Sequence, residues 1–265
     1  ERRRAAQDKI VLLDLELFRV PTFAWGNLAG ALIMFGEFGM LLTIPLFLHN
    51  VLGFTAIGAG ACLVFIMLGA FVSTPPSGRL VGRFGAIQVV RIGLAIEVIA
   101  MIILGTRFDV DTNTWAYAPW LFLFGLGTGL STAQITNVIL GDVPVHKSGQ
   151  ASGTQSTSRQ LGTALGVAVL GATLWLSLAD ITEDKLAQNT PLSASERSEF
   201  TRSVVDSTGV ILGPLREDPE TAELAELADE AYAESTARAV WVGAGFMLVG
   251  LCGTFLMRRR KDDDP

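Results

Sequence analysis

Cysteine and histidine are almost missing from this chain, at two residues each, and charged residues make up only 17% of it. Cys62 and Cys252 both fall inside apolar runs, so a disulfide framework is excluded. His49 and His146 stand apart from any other ligand type, and no Cys/His cluster offers zinc four donors, so no metal or cofactor site is expected. So little charge cannot clothe an ordinary soluble domain. No basic patch interleaved with aromatics points to nucleic acid. No H-E-x-x-H or G-x-S-x-G motif points to an enzyme. An initiator methionine and a signal peptide are absent too, and the chain opens on Glu1-Arg2-Arg3-Arg4, which reads as the start of a fragment cut from a longer protein.

What is present is apolar sequence: half of the residues are hydrophobic and the mean hydropathy is +0.44. It is gathered into six stretches, at about 22–48, 55–74, 86–106, 118–140, 155–178 and 236–257, each near the roughly 20 residues that cross a bilayer as a helix. The expected fold is therefore an all-α membrane protein, a bundle of six transmembrane helices. Five of them lie in 22–178 and the sixth at 236–257, between a cytoplasmic lead-in at 1–21 and a cytoplasmic tail at 258–265. With both ends placed inside, fourteen of the 20 Lys and Arg fall on the inner side, and five of the remaining six lie in or beside one long loop, which orients little. Trp25, Trp115, Trp120, Trp175 and Trp241 all fall near span borders, where amphipathic rings prefer the headgroup layer.

The outer loop at 179–235 is the sizeable polar part. Ser193-Ala194-Ser195-Glu196 matches a capping box. Phe200 and Val204 share a face of the helix it would open, and Gly209 would stop that helix. Asp218-Pro219 predicts a second helix carrying Leu224, Leu227, Ala228 and Ala231 at helical spacing and running into the sixth span. An extracellular helical hairpin results; an acidic disordered loop is the alternative. Within the membrane, Pro75-Pro76 is expected to end the second span. The glycines of Gly125-Leu126-Gly127-Thr128-Gly129, and Gly162 with Gly166, predict close helix packing.

Two acids stand out. Glu37 and Glu97 fall near the middle of the first and third spans. A carboxylate there is costly and normally faces a bundle interior or a wet cavity. Such a group suits proton coupling, since it can gain and lose a proton as access alternates, and when ionised it attracts a cation. Glu37, between Gly36 and Gly39 on an open helix surface, is preferred over Glu97. A neutral acid bonded to helix backbone is the plainer reading of either. Ser131, Gln134 and Asn137 recur every three residues along the fourth span and are candidate substrate contacts, or simply polar glue between helices. The combination implies a proton- or ion-coupled membrane transporter or part of one.

The order of these pieces resembles the C-terminal half of a major facilitator superfamily transporter, and more narrowly the fourteen-span drug:proton antiporters. The likeness rests on Leu13-Asp14-Leu15-Glu16-Leu17-Phe18-Arg19 before the first span and on Pro45 to Gly53 at its end. It rests also on Gly78 to Gly85 and on Asp142-Val143-Pro144. Gly149-Gln150-Ala151-Ser152-Gly153 and Arg159 to Gly166 complete it. Gly78, Leu80, Arg83 and Gly85 match the second copy of the superfamily's G-x-L-x-D-R-x-G loop, with Gly82 at the Asp position. The resemblance implies conformational roles for Gly78, Arg83, Gly85, Asp142 and Arg159, and a plasma-membrane setting. It implies a missing N-terminal half, and protons, a small molecule and the lipid bilayer as partners. Efflux of amphipathic or cationic drugs is the implied activity. A non-transporting scaffold or sensor whose outer hairpin binds a partner is the alternative.

Overall fold

A computed structural model describes residues 15–110 and 114–257. The terminal basic clusters Arg2-Arg3-Arg4 and Arg258-Arg259-Arg260, with Lys9, Lys261 and most of the lead-in, lie outside the described residues. Among the described residues eight α-helices account for the architecture: α1 (Pro21–Asn50), α2 (Ala56–Phe84), α3 (Ala86–Gly105), α4 (Ala118–Gly141), α5 (Ser148–Asn189), α6 (Ala194–Asp206), α7 (Leu212–Glu217) and α8 (Ala222–Thr254). Six of these, all but α6 and α7, are long and apolar enough to cross a membrane. The helices alternate in direction, so Leu15 and Met257 share one end of the bundle, the terminal end, and α6 and α7 lie at the opposite, hairpin end.

Four helix borders differ from the expectation. α2 does not stop at Pro75-Pro76 but continues through both to Phe84, so Gly78 to Phe84 forms its last turns rather than a loop. Each proline removes an N–H, which frees the carbonyls of Phe71 and Val72, while hydroxyls of the same turns bond to others: Ser73 and Thr74 donate to the Ala70 carbonyl and Ser77 to that of Thr74. Only Gly85, at φ +84° and ψ 153°, turns the chain into α3, a conformation open essentially to glycine. α5 begins at Ser148, taking in the polar stretch before its apolar part, and runs past 178 to Asn189, into the expected outer loop; at 42 residues it reaches about 63 Å, well beyond a hydrocarbon core of about 30 Å. The last helix begins at Ala222 rather than at Asp218-Pro219, because Asp218 accepts from the Glu220 N–H and Thr221 donates to Leu215, closing a turn.

The bundle is a ring: α1 packs on α5 and α8, α8 on α3, α3 on α4, and α4 closes against α1, with α2 outside on α4. Small residues set the spacing. A Cβ on Gly69, Gly125 or Gly129 would strike backbone across the α2–α4 seam, and one on Gly162 or Gly166 would strike the carbonyls of Ala31 and Phe35 on α1. Glycine therefore lets these pairs approach backbone to backbone, as close packing in a membrane requires. α2 is the least covered helix, with Ile57, Met67, Phe71 and Val72 exposed, followed by α5, with Leu161, Leu165 and Leu176.

The hairpin is fastened to the bundle. Ser193 and Glu196 form the capping box that starts α6, with Glu196 Oε2 accepting the Ser193 N–H at 2.8 Å. Val204 is buried beneath it. Gly209 (φ +86°) ends the turn after α6, its N–H bonded to the Val204 carbonyl. Arg216 of α7 pairs with Asp229 of α8 and also donates to the Asn50 carbonyl at the end of α1. The Asn50 amide in turn donates to Thr208 and to the Tyr232 hydroxyl.

Candidate functional site

Glu37 sits on α1 and is half-buried, between Met34 and Phe38 of the same helix. The two glycines beside it are not open space: Met247 of α8 fills the notch at Gly36 and Leu170 of α5 that at Gly39. These large side chains close the neighbouring faces and leave the carboxylate directed at α4. There Thr132 donates to Glu37 Oε1 at 3.3 Å, and the hydroxyl of Thr128 lies close enough to interact. The Arg159 guanidinium of α5 attracts Glu37 from the third side without reaching ion-pair distance; its own contact is with Met34 Sδ at 3.5 Å.

Glu97 is fully buried between α3 and α4. Gly93 and Gly127 make this possible. A Cβ on Gly93 would meet the Ser131 nitrogen at 2.6 Å, and one on Gly127 would meet Glu97 Cγ at 2.6 Å. The two helices thereby come near enough for Ser131 Oγ to donate to Glu97 Oε1, while Oε2 has no hydrogen-bond partner. A buried oxygen in that condition is uncommon and costly. Arg91, on the same helix, turns away to the Thr254 carbonyl and stacks over Phe255.

The stripe of Ser131, Gln134 and Asn137 divides. Ser131 faces α3. Gln134 donates to Ser77 on α2 at 2.9 Å and accepts from Asn137 at 3.0 Å, a polar link across the α2–α4 seam. Asn137 borders a second pocket of about 280 Å³ at the terminal end, together with Arg91, Gly85 and Asp142. Asp142 accepts from Thr22 at 2.7 Å and so ties the start of α1 to the end of α4. Gly78 and Arg83 are exposed on α2, and Arg83 lies 5.4 Å from the Phe84 ring.

The main cavity, about 680 Å³, opens between α1, α4 and α5. Met34, Phe38 and Leu140 supply its apolar wall, and Arg159, Gln155, Gln160 and Thr136 its polar one. Gln155 donates to Thr136 at 2.7 Å, which holds the α4–α5 side of the wall. A mixed apolar and polar lining of this size suits a small amphipathic molecule. Sequence reasoning missed Thr128, Thr132 and Thr136. Their spacing on α4 was visible, but a threonine in an apolar helix most often bonds its own backbone and signals nothing.

Residues 2–167 match the Major Facilitator Superfamily. The chain belongs to that superfamily. It is 31% identical over 196 residues to the multidrug resistance protein Stp of Mycobacterium tuberculosis, an alignment covering 74% of this chain and 36% of that protein. To the tetracenomycin C resistance and export protein of Streptomyces glaucescens it is 24% identical over 254 residues, 96% of this chain and 47% of the relative. To a tetracycline resistance determinant of Streptomyces rimosus it is 34% identical over 163 residues, 60% and 46% of the two chains. The chain thus spans less than half the length of these major facilitator relatives. The six apolar helices and the family together make it a multi-pass membrane protein.

Proposed function

We propose that this chain is the C-terminal bundle of a proton-driven exporter of amphipathic, cationic compounds, a carrier rather than an enzyme, in the plasma membrane. Its first and last residues would lie in the cytoplasm and its hairpin outside, following the distribution of Lys and Arg. The observation that carries the reading is Glu37, an acid near the middle of a spanning helix, drawn by the Arg159 that lines a cavity of mixed polarity, in a chain whose relatives are named for drug resistance and export. When ionised, Glu37 attracts a cationic compound; when it takes a proton, that attraction ends, and competition of this kind exchanges one for the other. The little-covered faces of α2 and α5 would receive a second bundle of spans, against which this one rocks to alternate access.

The test is Glu37→Gln in the full-length protein, with ethidium as probe and an imposed proton gradient across inverted vesicles. The variant is expected to reach the membrane in normal amount and to lose gradient-driven ethidium movement. Unchanged ethidium movement with unchanged proton flux would refute the assignment.

A further inference from the structure

Thr128, Ser131 and Thr132 stand at i, i+3 and i+4 on α4, a spacing that gathers three hydroxyls on one strip of the helix. At one edge of the strip Ser131 donates to Glu97. At the other Thr132 donates to Glu37. Thr128 stands one turn before both, its carbonyl 3.3 Å from Ser131 Oγ and its hydroxyl on the Glu37 side. Two buried oxygens along this path, Glu97 Oε2 and Thr128 Oγ1, have no hydrogen-bond partner, although native buried polar atoms are nearly always paired. Glu97 itself has no exposure to the cavity, so any proton it exchanges must come through its neighbours.

We propose that Glu37 and Glu97 are one proton-binding unit, bridged by the hydroxyls of α4, in which Glu37 is the half-buried outer acid and Glu97 exchanges its proton only through it. The net step is a proton transfer: the Glu37 carboxyl gives a proton to a hydroxyl oxygen as the strip passes one to Glu97, leaving Glu37 ionised and Glu97 neutral, with no electron moved. The two carboxylates repel one another, which favours a single shared proton over two negative charges. The other charged group acting on the pair is Arg159 from α5; α2, α4 and α8 bring no charged side chain to bear on either acid among the described residues. Arg159 favours leaving the negative charge on Glu37, so the inner acid keeps the proton while the outer one meets the cation. Ser131 and Thr132, which touch the two acids directly, carry the proton in this scheme.

The inference deepens the exporter reading and rests on it for its meaning, but its test does not need transport. Infrared pH titration of the purified full-length protein follows the carboxyl C=O bands, assigned by Glu37→Gln and Glu97→Gln. In Glu37→Gln the midpoint of the Glu97 band is expected to move by about one pH unit or more. After a pH jump, Ser131→Ala combined with Thr132→Val is expected to slow the Glu97 band by about tenfold or more, since positioned groups speed proton transfer by at least that much. Thr132→Ser alone should keep the native rate, because it keeps the hydroxyl. A Glu97 midpoint that stays put in Glu37→Gln overturns the proposal, and so does an unslowed Glu97 band in the double variant. If the infrared results are as expected while ethidium movement ignores Glu37→Gln, the shared-proton unit stands and the exporter reading falls.

Discussion

At the scale of single residues, glycine does as much as glutamate to make the site. Glu97 reaches its burial only because Gly93 and Gly127 remove the two side chains that would hold α3 and α4 apart. A Gly127→Ala change would place its Cβ 2.6 Å from both Glu97 Cγ and the Gly93 carbonyl oxygen. Overpacking of this kind costs about 1–3 kcal/mol, and backbone cannot swing aside as a flexible side chain can. The expected outcome is a lower midpoint of thermal unfolding in detergent. A control change at Gly78, where a Cβ meets nothing within 4 Å, should move that midpoint far less. Equal effects at the two positions would mean the α3–α4 seam is not what Gly127 serves.

At the scale of elements, the hairpin helix α6 is the clearest case of a local signal fulfilled. Its start is written in four residues, Ser193 to Glu196, because a capping box needs nothing from elsewhere in the fold. Hydrogen bonds from the Ser193 hydroxyl and backbone hold the Glu196 carboxyl below its ordinary range. A carboxylate with a depressed value in the folded state stabilises that state above the unfolded pKa, and the contribution is lost as pH falls through the folded one. Amide exchange across 194–206 should therefore quicken as pH drops below the ordinary carboxylate range, beyond the intrinsic rate change. Glu196→Ala should exchange quickly throughout and lose that added pH dependence. By contrast, the Pro75-Pro76 pair misleads a local reading. Whether a proline pair ends a helix depends on what holds the turns beyond it, and here Gln134 of α4 donates to Ser77 just past the pair.

At the scale of the whole molecule, the bundle has a polarity that side chains can report. The terminal end carries Arg79 and Arg83, exposed near the end of α2, and the hairpin end carries the exposed Ser195. With Cys62 and Cys252 replaced by serine, a single cysteine at Arg79 should react with a membrane-impermeant maleimide only from the cytoplasmic side. One at Ser195 should react only from outside in intact cells. Labelling of both from the same face would overturn the proposed orientation and, with it, the assignment of the hairpin as external.

The chain by itself determined the class of the fold: the number and rough extent of its spans, the acids within them and the capping of α6 follow from apolar run length and from bonds within four residues. The family likeness, too, was legible in short motifs. Only the tertiary structure decided which side chains meet. Ser131, Gln134 and Asn137 share a spacing, yet one serves Glu97 and another Ser77, because α3 and α2 approach α4 from different directions. Glu37 finds threonines on α4 rather than the glycine notches beside it, since Met247 and Leu170 occupy those first. Periodicity gives the face of a helix but not its neighbour; the neighbour is set by how closely two backbones can pack, and that depends on glycines far apart in the chain.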